Sequence, residues 1–97
     1  MTNVIPAQLP ADPEEMNDKR AEWASEALKA FEKHGEQPLP DATKEERHQL
    51  NQQNLSDLLA DFGHYCDRAA LDMRKALQTA KGHYDEETDG EGAQFRA

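Results

Sequence analysis

The chain has 97 residues, with 20 acidic against 11 basic side chains and a formal net charge of −9. That length fits one domain with a modest core, for which self-association is an available source of stability. The negative charge opposes binding to phosphate backbones and to anionic membrane surfaces, and no apolar run approaches the roughly 20 residues of a membrane span. The N-terminus lacks the basic-then-apolar order of a signal peptide, and the single cysteine, Cys66, cannot form an internal disulfide, so a reducing cytoplasm is the expected location.

Residues 1–11 carry Val4, Ile5, Pro6, Leu9 and Pro10 without helical period. Each proline disfavours helix in the residue before it, so the stretch reads as an extended arm, either a frayed end or a segment that packs on a partner. Asp12-Pro13-Glu14-Glu15 has the chemistry of a helix start: an acceptor for free N–H groups, a proline whose missing N–H costs nothing there, and two carboxylates at the positive end of the dipole. The helix is expected over 13–34, ending where Gly35 can take a left-handed closing conformation. Met16, Trp23, Ala24, Ala27, Leu28 and Phe31 fall on one stripe, and Asp18, Glu22, Glu26, Lys29 and Lys33 lie opposite. Trp23 reads as a core anchor, with a place at an interface as the alternative.

Pro38 and Pro40 make 36–40 a connection, and Thr43-Lys44-Glu45-Glu46 has the spacing of a capping box. A second helix is expected over 44–68. Its first half is almost wholly polar apart from Leu50, which suits a segment that projects beyond the core or pairs with another subunit. Asn54-Leu55-Ser56 matches a glycosylation sequon, read here as coincidence inside a helix. From Leu55 onward, Leu55, Leu58, Leu59, Phe62, Tyr65, Cys66 and Ala69 cover a single face. Cys66 on that face reads as a buried, inert thiol. Asp57, Asp61, His64 and Arg68 line the opposite side, where they form a solvated polar face or, in a second reading, supply two carboxylates one turn apart that hold a divalent cation. Gly63 costs about 1 kcal/mol relative to alanine within a helix and would let another backbone approach closely.

Asp67 to Asp72 either ends this helix or bends it, since Ala69 and Ala70 alone would allow one continuous helix. A third helix is expected over 72–82, with Asp72 as its cap, Met73, Ala76, Leu77, Ala80 and Tyr84 as its apolar stripe, and Gly82 as a late interruption. Residues 85–97 are acidic and glycine-containing and read as a disordered tail in which Phe95 is a possible anchor. The expected fold is therefore all-α: an arm (1–11), a single helical domain (12–84) built as a small three-helix bundle and completed by dimerisation, and an acidic tail (85–97). Its expected core is Met16, Trp23, Leu28, Phe31, Leu55, Leu58, Leu59, Phe62, Cys66, Leu71, Met73 and Leu77.

The run Leu55-Ser56-Asp57, followed at matching distance by Asp67-Arg68-Ala69-Ala70-Leu71-Asp72-Met73-Arg74-Lys75-Ala76-Leu77, resembles the C-terminal half of MazG-like proteins, the all-α nucleoside triphosphate pyrophosphohydrolases. The likeness covers about a third of the chain, and it implies a helix break at Ala69-Ala70. Members of that family bind magnesium through paired carboxylates on two helices. Asp57 matches the last of those ligands, Asn54 stands where the preceding glutamate belongs, and the first pair is missing, with Glu22 and Glu26 four apart and Glu15 and Asp18 at the helix start.

Three functions follow as expectations. The first is a non-enzymatic, acidic helical module for protein–protein interaction, with a protein partner, a homodimeric state and no cofactor; the resemblance adds a likeness to small phage and mobile-element proteins that bind and inhibit host proteins. The second is a divergent magnesium-dependent pyrophosphohydrolase using Asp57 and Asp61. The third is a DNA mimic, in which Asp18, Glu22 and Glu26, with Asp57, Asp61 and His64 as further partner-binding candidates, offer rows of charge to a basic groove.

Overall fold

A computed structural model describes residues 15–95, so the expected arm and the Asp12-Pro13 helix start lie outside the described residues. The fold is all-α, a small bundle of three helices, with no strand among the described residues. Helix α1 spans Met16–Glu32, α2 spans Lys44–Ala69 and α3 spans Met73–Glu87. The residues expected to form one domain fall into two compact units, one containing the described residues up to Arg20 together with Arg74 onward, the other Ala21–Met73.

Within the second unit, α1 closes through short turns, with His34 N–H donating to the Phe31 carbonyl at 2.8 Å and Gly35 N–H to the Glu32 carbonyl at 3.1 Å. Gly35 is not in the left-handed region: Gly90 is the one described glycine with positive φ. What Gly35 supplies is room, because a Cβ there would sit 2.6 Å from the Asn54 Oδ1. Asn54 is 1% exposed and donates through Nδ2 to the Glu36 carbonyl at 3.3 Å, tying α2 to the connection that leaves α1. Helix α2 begins with the expected capping box, in which Glu46 N–H donates to Thr43 Oγ1 at 3.1 Å and Thr43 N–H donates to Glu46 Oε1 at 2.7 Å. It ends at a real break. Ala70 is left-handed at φ 57°, and Leu71 N–H donates back to the Cys66 carbonyl at 3.0 Å, the six-to-one bond of a Schellman closure.

In the first unit, Asn17 Nδ2 donates to the Glu87 carbonyl at 2.8 Å, satisfying an acceptor that the end of α3 leaves free, and Arg20 Nε lies 3.3 Å from Glu87 Oε2. Helix α3 therefore runs past Gly82 to Glu87, beyond the boundary expected at 82. Gly90 N–H closes it by donating to the Asp85 carbonyl at 2.8 Å, with Asp89 left-handed at φ 54°. Up to Phe95, the residues expected as a disordered tail are folded onto Tyr84: the Phe95 ring lies 5.4 Å from the tyrosine ring, and Gln94 N–H donates to Tyr84 Oη at 3.2 Å.

The expected core is not buried. Among the described residues no apolar side chain is buried, and Asn54 is the one buried polar residue. Met16, Leu28, Phe31, Leu58, Cys66 and Met73 are half-buried, while Trp23, Leu55, Leu59, Phe62, Leu71 and Leu77 are exposed. The stripe from Leu55 to Ala69 carries several large apolar side chains in a chain too short to shield much of its apolar surface from water.

Candidate functional site

Each polar candidate stands on a helix surface in contact with solvent. Asp18, Glu22 and Glu26 on α1 and Asp57, Asp61 and His64 on α2 are all exposed. The α1 carboxylates recur every four residues, about 6 Å apart along the axis. Asp57 and Asp61 share one side of α2, and among the described residues no group of three or more histidine, cysteine or acidic side chains is placed to hold a metal ion. His64 lines a shallow groove with Ala60, Gly63, Cys66 and Asp67, closed on its far side by Ala70 to Met73. Gly63 borders this groove without being crowded: a Cβ there would meet Met73 Sδ at 3.8 Å, an ordinary contact.

Asn54, which the resemblance sets where a metal-binding glutamate belongs, faces inward. Its amide is used on the Glu36 carbonyl, and its Oδ1 has no hydrogen-bond partner. A side chain so enclosed is also out of reach as a glycan acceptor, in agreement with reading the sequon as coincidence. Periodicity could not find Asn54, because on α2 it sits beside an apolar stripe and carries no apolar signal itself.

The site with physical substance is apolar. Leu55, Leu59 and Phe62 follow one another at four- and three-residue steps on α2 and are 42%, 44% and 47% exposed. Cys66 continues the line as a half-buried free thiol, and Trp23 on α1 is 54% exposed. Residues at these spacings lie one above another on a helix, so the three large side chains form one strip rather than scattered points. Comparison with protein-family models, curated proteins and solved structures finds no match. The exposed strip and the buried Asn54 therefore carry the functional argument on their own chemistry. No helix among the described residues is long and apolar enough to cross a membrane.

Among the described residues, the one ionisable group with a displaced pKa is Glu46, near the start of α2 and outside this strip. Glu46 is held below the ordinary carboxylate range, first by the Thr43 backbone N–H and then by the Thr43 hydroxyl, both of which favour its charged form. It serves the start of α2.

Proposed function

We propose that this chain is a non-enzymatic, acidic helical module for protein–protein interaction that completes its core by pairing with a second copy of itself. One observation carries the reading: among the described residues no apolar side chain is buried, while Trp23, Leu55, Leu59 and Phe62 stand exposed. Removing the exposed half of such side chains from water contributes about 1 kcal/mol each, a driving force that a lone chain leaves unused. The enclosed Asn54 supports the non-enzymatic side of the proposal, since the position that the resemblance gives to a magnesium ligand is occupied by a residue that fixes a connection. A single half-buried cysteine suits a reducing cytoplasm. On this reading the paired module goes on to bind and inhibit a further protein through its acidic surface.

Mass provides the test. On dilution from high to low micromolar concentration, the weight-average mass from static light scattering falls from twice the 11.0 kDa chain mass toward that of one chain as the pair dissociates. A single-chain mass at every concentration contradicts the proposal.

A further inference from the structure

Resting on the reading above, we infer that α2 is itself the seam, pairing antiparallel with α2 of a second copy about a twofold axis between Ala60 and Asp61. The heptad register carries the inference. With Leu55 and Phe62 at d and Leu59 and Cys66 at a, the e positions are Ser56 and Gly63 and the g positions are Leu58 and Tyr65. The charged residues Asp57, Asp61, Asp67 and Arg68, and His64, then all fall at b, c or f, away from the contact. On a chain with a net charge of −9, a twelve-residue face without charge is the one place where two copies meet without opposing carboxylates. A basic partner would find nothing there to recognise.

The spacing is symmetric. Steps of four, three and four read the same in both directions, so an isologous antiparallel pair sets Leu59 against Phe62 of the second copy and Leu55 against its Cys66. The flanks divide by size: Ser56 faces Gly63 of the second copy on one side, and Leu58 faces its Tyr65 on the other. A parallel pair has no such advantage, because the same register places Glu45 at a and would set it against Glu45 of the second copy, with the two helix dipoles aligned. In the antiparallel pair the polar half of α2 lies outside the overlap. The area is in proportion. Leu55, Leu59, Phe62 and Tyr65, the last 59% exposed, present roughly 400 Å² of accessible surface per chain, which supplies the apolar centre of an interface burying about 800 Å² on each partner.

Cys66 makes the orientation measurable. In the Leu55→Cys variant of the full chain, treated with oxygen and a copper catalyst as electron acceptor, the antiparallel seam yields a cross-linked dimer as two thiols lose their protons and two electrons to form each intermolecular disulfide. Within one chain the two cysteines are eleven residues and about 16 Å apart on a helix, too far to bridge. The unsubstituted chain stays uncross-linked, since its two Cys66 residues are held about as far apart. Cross-linking of the unsubstituted chain overturns the antiparallel arrangement, and a dimer whose Leu55→Cys variant does not cross-link places the seam elsewhere; both outcomes leave the proposed function standing. Phe62→Glu is expected to weaken association at least 100-fold with helical circular dichroism retained, whereas Asp57→Lys, at an f position, changes it less than threefold. Undiminished association of a folded Phe62→Glu overturns the seam, and a monomeric unsubstituted chain overturns both the seam and the function on which it rests.

Discussion

Gly35 and Asn54 show how much of this small fold depends on one close approach. With Oδ1 of Asn54 2.6 Å from where a Cβ would stand on Gly35, even alanine must displace a buried side chain. Gly35→Ala is therefore expected to lower stability by about 1–3 kcal/mol, read as an earlier urea midpoint. A gain in stability would show that Asn54 yields freely. Ala70 presents the opposite case, an L-residue held at φ 57°, where glycine has no steric cost. Ala70→Gly is expected to raise stability by about 0.5–1 kcal/mol in the same measurement, and a loss would argue against the left-handed closure of α2.

At the scale of elements, the start of α2 rests on the Thr43 and Glu46 exchange. Thr43→Ala is expected to cost about 1 kcal/mol. Because the pKa of Glu46 is lowered in the folded chain, its contribution is complete above the unfolded carboxylate pKa and declines as pH falls through the folded value. Glu46→Gln keeps an acceptor for Thr43 N–H and should flatten that part of the acid limb in a pH series of urea midpoints; an unchanged limb would remove Glu46 as its source. Helix α3 tolerates Gly82 with open space around it, so Gly82→Ala is expected to add about 1 kcal/mol. Elements whose signals are local were legible in the sequence: the capping box of α2 and the extent of that helix, whereas Ala69 and Ala70 left the break before Met73 open on their own propensity. Those that depend on distant contacts were not. The extent of α3 is tied to Glu87, which Asn17 and Arg20 engage from the far end of the chain, and an acidic stretch with glycines gave no sign of this. Gly35 was assigned a backbone role because a glycine after a helix usually takes one, whereas its function lies in what packs against it.

For the whole molecule, the apolar periodicity set the apolar residues of α2 on one stripe but did not give their burial. Leu55, Leu59 and Phe62 form a stripe as the spacing requires, but hydropathy does not say whether a stripe is shielded by its own chain or by another. The length of the chain offered a hint, since short domains bury a small share of their surface and gain from association. The candidate carboxylates Asp57 and Asp61 were equally legible as an exposed polar side of α2. Incomplete shielding makes oligomeric state the property on which the account depends. Sedimentation equilibrium of the full chain at tens of micromolar in moderate salt tests it most directly. The account expects a species of twice the 11.0 kDa chain mass that dissociates on dilution and is reduced to monomer by Phe62→Glu; a single-chain mass throughout that concentration range, with helical circular dichroism intact, would contradict it.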